Sequence, residues 1–253
     1  MKIIKNKLRF GDIVAESYYR ENNNGKAVVF CAGIPGISSY PDIAERYAAA
    51  GYIFIHPKYV GSWESYGGFS VEGCKKTIID FVAALRQKQV KTIFGDIFNV
   101  VANKIYLLGH SFGGSVALSA GAELEDVGII ALAPVIDYKK QGNGEYLEEK
   151  MDCLGNFILA GFENVYRGFD QESWNTFCIS GAGLNANEYI DKLKSRDILL
   201  IHGRSDTSVN FNRSKEFVNE LKAQGGRIEY VETDDDHSGV KSSSFEKIVS
   251  WIK

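Results

Sequence analysis

Short apolar runs recur along the chain, and between them lie longer stretches in which apolar residues return every three to four positions. Residues 3–10 and 13–19 read as two antiparallel strands around Gly11-Asp12, at the two-residue spacing that tight hairpins favour. After a loop at 22–25 the pattern alternates. Strands are predicted at 27–31, 52–56 and 104–108, with helices over about 41–50 and 71–89. That rhythm predicts a largely parallel sheet with helices on both faces. A helix-compatible stretch of small residues at 114–122 precedes a continuous apolar run at 128–133, the pattern of a strand covered on both sides.

The rhythm stops at about residue 138 and resumes after 189. No convincing buried strand falls in between, but Leu147, Met151, Leu154 and Ile158 recur at the spacing of one helical face. The sheet continues with a strand at 197–202, a helix at 210–223, a strand at 227–232 and a closing helix at 240–252. The expectation is one α/β domain over residues 1–253. It has a mostly parallel eight-stranded sheet, helices on both faces, an N-terminal antiparallel hairpin and a small helical cap insertion at about 138–189.

Composition narrows the partners. The net charge of −3 argues against a nucleic-acid or anionic-membrane footprint, which needs a clustered basic surface. The expected partner is therefore small and neutral. No apolar run approaches the ~20 residues that span a bilayer, and residues 1–10 contain no signal-peptide core, so the expected compartment is the cytoplasm. Cys31, Cys74, Cys153 and Cys178 are irregularly spaced and are expected to be reduced, mostly buried thiols. No metal or cofactor is expected. The glycine-rich Gly181-Ala182-Gly183-Leu184 follows no predicted strand, and no Gly-Lys-Ser/Thr phosphate loop occurs.

The chemistry centres on Gly109-His110-Ser111-Phe112-Gly113, set between a strand and a helix. A strand that reverses directly into a helix strains the residue at its tip and demands glycines beside it, which exposes Ser111 as a candidate nucleophile. A serine needs a base. Of the four histidines, His56 and His202 end predicted strands and His110 lies inside the turn beside Ser111, badly placed to face it. His237 follows a strand on a polar loop near the C-terminus, where a ring can reach the carboxyl edge of the sheet.

The orienting acid is expected to be Asp206, which follows the strand ending Leu200-Ile201-His202-Gly203; Asp137, after the preceding strand, is the rival. Asp234, Asp235 and Asp236 adjoin His237 and read as a solvated loop. Two oxyanion donors are expected: the backbone N–H of Phe112 and that of Ile34, in the loop Ala32-Gly33-Ile34-Pro35-Gly36.

The order Ser111, Asp206, His237 on an alternating β/α pattern resembles the α/β-hydrolases over essentially the whole chain. Residues 188–237 are similar to the catalytic domain of prolyl-oligopeptidase-like serine peptidases and to small feruloyl-esterase-type carboxylesterases. Tyr59-Val60-Gly61-Ser62-Trp63-Glu64-Ser65 resembles the loop after the fourth strand in that group. The chain departs from many relatives at Ala32-Gly33, where they carry His-Gly. Every segment is taken up by the sheet, hairpin or insertion, so the propeller of the oligopeptidases is not expected.

The resemblance implies that the 138–189 insertion caps the active site. Tyr138, Tyr146, Phe157, Phe162, Tyr166, Phe169, Trp174 and Phe177 either wall an acyl or aryl pocket or pack the cap onto the core. The expected activity is hydrolysis of small carboxylic esters through an acyl-enzyme on Ser111. The alternatives are a peptidase or amidase on short peptides and a hydrolase-fold protein that binds without turnover.

Overall fold

The computed structural model describes residues 2–252; residues 1 and 253, the ends of the expected domain, lie outside them. Strands β1 (Ile4–Phe10) and β2 (Ile13–Tyr19) form the expected hairpin, with Phe10 opposite Ile13 across the turn. The other expected strands are β3 (Lys26–Cys31), β4 (Ile53–Pro57), β6 (Lys104–His110), β7 (Val127–Leu132), β8 (Asp197–Gly203) and β9 (Ile228–Thr233). A two-residue strand, β5 (Lys91–Thr92), pairs antiparallel with β1 and extends the sheet at its edge. Two residues are too few to carry a periodic signal, so this strand could not be read from the sequence.

The strand order is β5-β1-β2-β4-β3-β6-β7-β8-β9. The five pairings from β4 to β9 are parallel, so the carboxyl ends of β3, β6, β7, β8 and β9 share one edge.

Side-chain alternation along the central strands supplies two cores. Ala27, Val29, Ile105, Leu107 and Ile129 face one side, where α2 (Val71–Arg86), α3 (Phe112–Glu123) and α7 (Phe211–Ala223) pack. Val28, Phe30, Tyr106, Leu108 and Ile130 face the other, against α1 (Pro41–Ala49) and the C-terminal helices. The expected closing helix is divided into α8 (Val240–Ser243) and α9 (Phe245–Trp251), with Ser244 between them.

The segment between β7 and β8 contains α4 (Met151–Gly161), α5 (Gln171–Ser180) and the short α6 (Ile190–Leu193). Leu147 does not share the α4 face with Met151 and Ile158: it precedes the helix and is 78% exposed. The reason lies in a neighbour distant in sequence. Arg213 of α7, its side chain 3% exposed, holds residues 140–148 in an irregular loop. It pairs with the fully buried Glu148 carboxylate at 2.6 Å and donates to the Lys140 carbonyl at 2.8 Å. Helical periodicity cannot register such a constraint.

The four cysteines are free, Cys31 and Cys74 buried as expected, whereas Cys153 is exposed on α4. Among the described residues no helix is long and apolar enough to cross a membrane.

Candidate active site

Ser111 occupies the one-residue junction between β6 and α3, with φ 58° and ψ −124°. A side chain bearing a Cβ rarely adopts such a conformation, and it is held here by its surroundings. The Ser111 N–H donates to the Leu132 carbonyl at 2.9 Å, tying the tip to β7. A Cβ on Gly109 would collide with the Gly113 carbonyl, and one on Gly113 with the carbonyl of Cys31. Both glycines are therefore required for β6, α3 and β3 to approach closely enough to present Ser111 at the sheet edge.

His237 lies beyond β9 and lines the same cavity as Ser111. Its Nδ1 donates to Asp206 Oδ2 at 2.7 Å, while the Ser111 hydroxyl makes no side-chain hydrogen bond among the described residues.

Asp206, in the loop after β8, is 4% exposed. Its Oδ1 accepts from the backbone N–H groups of Ser208 and Val209, each at 2.9 Å. Its Oδ2 accepts from His202 Nε2 at 3.1 Å as well as from His237. Burial opposes ionisation of this carboxyl, but the hydrogen bonds from His202, His237 and Val209 outweigh it and hold the group well below the usual carboxylate range.

Asp137, the rival acid, instead folds a local turn by accepting from the Lys139 N–H at 3.0 Å. The acidic run before His237 lies at the surface, with Asp234 and Asp236 exposed, and makes local contacts there. Asp236 accepts from the Ser238 and Gly239 N–H groups and Asp235 from the Ser243 hydroxyl, while Asp234 pairs with Arg204.

Two histidines that the sequence leaves in plain structural positions touch this array. His202 is fully buried; its Nε2 also faces the Val209 carbonyl at 3.0 Å, so that nitrogen carries the proton, and Nδ1 accepts from Ser214 Oγ at 2.8 Å. His110 donates from Nε2 to the His237 carbonyl at 2.7 Å, holding the backbone of the candidate base. Burial, with the nearby His237 and Lys241, pushes the His110 ring down to about 3, so it remains a neutral donor. The signals were His at the last position of β6 and the penultimate position of β8. Their partners come from other loops, so nothing local identified them.

The loop after β3 places Gly33, Ile34 and Pro35 in the cavity wall beside Ser111 and Phe112. Neither the Ile34 nor the Phe112 N–H has an intramolecular acceptor among the described residues. The loop is held by tyrosine hydroxyls: Tyr59 donates to the Ala32 carbonyl at 2.8 Å, and Tyr166 and Tyr40 accept from the Gly36 and Ile37 N–H groups at 3.1 and 3.2 Å. Tyr59 comes from the loop after β4, and Tyr166 from the segment between α4 and α5.

The cavity encloses about 330 Å³. Met151, Leu154, Phe157, Trp174 and Phe177 of the α4–α5 segment form its apolar wall together with Tyr138. The expected aromatic set therefore divides. Phe162, Tyr166 and Phe169 pack with each other or against Phe69 of the main body, and Tyr146 lies over the Arg213 guanidinium. Gln141 ties the start of this segment to the Asp206 loop by donating to the Ser208 carbonyl at 2.8 Å.

A serine at a strained strand–helix junction on the carboxyl edge of this sheet defines an α/β-hydrolase. Residues 43–253 match the model of the prolyl oligopeptidase family, Peptidase_S9, and the chain belongs to that family. Solved structures share the fold over nearly its whole length. The Pyrococcus furiosus esterase Pf2001 superposes with a TM-score of 0.64 at 19% identity, covering 98% of this chain and 87% of that one. Est1E from Butyrivibrio proteoclasticus, in a structure with bound ferulic acid, gives 0.62 at 18% identity, covering 95% and 96%. The acylaminoacyl peptidase of Pyrococcus horikoshii gives 0.61 at 15% identity, covering 99% of this chain and 41% of that one. No curated protein is significantly similar in sequence.

Proposed function

We propose that this chain is a serine hydrolase of small carboxylic esters. Ser111 attacks the ester carbonyl, and His237 takes its proton and returns it to the departing alcohol. Asp206 holds the His237 ring with Nδ1 protonated and Nε2 free to act. The N–H groups of Ile34 and Phe112 receive the oxyanion, and water then releases the acid from the Ser111 acyl-enzyme.

The observation that carries this reading is the 2.7 Å contact from His237 Nδ1 to an Asp206 carboxylate held ionised, with His237 and the strained Ser111 lining one cavity. The apolar wall of Met151, Leu154, Phe157, Trp174 and Phe177 favours an uncharged aliphatic or aryl acyl group. Pf2001 is an esterase, and ferulic acid is bound in Est1E. Peptidase or amidase action on short peptides is the second reading, favoured by membership of the prolyl oligopeptidase family.

Ser111→Ala is expected to lower kcat for p-nitrophenyl butyrate at least ~10⁴-fold while leaving the circular dichroism spectrum unchanged. Undiminished turnover by the variant would exclude the mechanism. A panel of aryl esters against aminoacyl amides separates the two readings. Absence of labelling of the folded protein by a fluorophosphonate would leave a binding protein without turnover.

A further inference from the structure

Lys241 lines the cavity together with Ser111, His237 and Ser238. It lies on α8, four residues beyond His237, and is half-buried. Its ammonium makes no ion pair or side-chain hydrogen bond among the described residues. That sets it apart from Lys58 and Lys75, two other lysines removed from solvent, which face Glu16 and Glu123. The ammonium keeps contact with solvent in the cavity, and partial burial without a partner depresses the Lys241 amine below the usual lysine value. Glu149, also in the cavity lining, is tied by its backbone N–H to the Ser208 carbonyl and forms no ion pair with Lys241.

The direction of the proposed reaction assigns this charge a place. The base returns its proton to the leaving group, so the leaving group departs on the His237 side of the site. Lys241 is on that side. The acyl side is the apolar wall formed by α4 and α5, which contributes no cation.

On the reading that Ser111 and His237 are nucleophile and base, we propose that Lys241 is the anchor of an anionic leaving group. The substrates would be esters of an uncharged acyl group with an alcohol or phenol that carries a carboxylate. Hydrolysis of such an ester by water yields a neutral-chain carboxylic acid and a hydroxy acid, with the proton from Ser111 carried by His237 to the departing oxygen.

The test compares 3-carboxyphenyl butyrate with 3-carbamoylphenyl butyrate, whose leaving groups are nearly equal in size and differ in charge. The ratio of their kcat/KM values, anionic over neutral, is expected to fall about tenfold in Lys241→Met and to be largely kept in Lys241→Arg, the scale of a close charge pair. Lys241→Glu should lower it further. An equal change for both esters in Lys241→Met would overturn the proposal, because a merely structural lysine affects both alike.

Binding to Ser111→Ala, followed by calorimetry, does not depend on turnover. The anionic ester should bind this protein about tenfold more tightly than it binds Ser111→Ala/Lys241→Met. Equal affinities would also overturn the proposal. Failure of the wild type to cleave either ester, with charge-selective binding retained, would instead count against the hydrolase reading and leave the Lys241 anchor standing.

Discussion

His202 and His237 donate to the same oxygen of one carboxylate, Oδ2 of Asp206, at 3.1 and 2.7 Å. The two contacts compete for the same electron density. With His202 present, Oδ2 is held in the position from which it accepts from His237 Nδ1.

Replacing His202 with Phe should therefore leave Oδ2 less well fixed and lower kcat for p-nitrophenyl butyrate several-fold with little change in KM, because the ring of the candidate base is then less firmly oriented. His202→Gln retains an N–H near the Nε2 position and should restore most of that kcat. A lowered Tm with an unchanged kcat in His202→Phe would assign His202 to packing alone.

Acid should destabilise the fold. The His110 ring is held at about 3, far below the ~6.5 of an unfolded histidine, so its contribution is complete above 6.5 and is lost as pH falls toward 3. His56, fully buried, is depressed by burial and by Lys58 in the same direction, and the lowered Asp206 carboxyl adds a further loss below about 4. Urea unfolding between pH 7.5 and 4.5 should show stability rising with pH, by up to ~1.4 kcal/mol per pH unit for each histidine. His110→Gln, which keeps a donor for the His237 carbonyl but cannot titrate, should reduce that slope. An unchanged slope would mean that His110 already titrates normally.

The Arg213–Glu148 pair should act as the latch of the α4–α5 segment. Arg213→Met leaves the Glu148 carboxylate buried without its main partner and should cost ~3–5 kcal/mol, with KM raised more than kcat is lowered. Arg213→Met/Glu148→Leu should recover much of the stability. Denaturant midpoints and steady-state kinetics of the two variants measure both effects, and a single variant as stable as wild type would contradict the assignment.

Tyr166→Phe removes the acceptor of the Gly36 N–H without changing the packing of the ring. The expected cost is about 1 kcal/mol of stability. If this hydroxyl keeps the Ile34 amide in position, kcat for p-nitrophenyl butyrate should drop several-fold with little change in KM. An unchanged kcat would show that the loop holds its shape without Tyr166.

The chain's own pattern determined much of this protein. Two periodicities, apolar runs for strands and three-to-four spacing for helices, are local properties and placed the eight full-length strands and the principal helices within a few residues. The demand for glycine around a serine between strand and helix is likewise local, and it singled out Ser111. His237 and Asp206 could be nominated because parallel strands deliver their following loops to one edge. Tertiary structure alone decided what those residues touch: His202 on Asp206, His110 on the backbone of His237, Arg213 on the loop that displaces Leu147, and the division of the aromatics between cavity wall and packing. These contacts join segments far apart in the chain. A hydrogen bond depends on a few tenths of an ångström and an angle, neither of which hydrophobic period or residue spacing encodes.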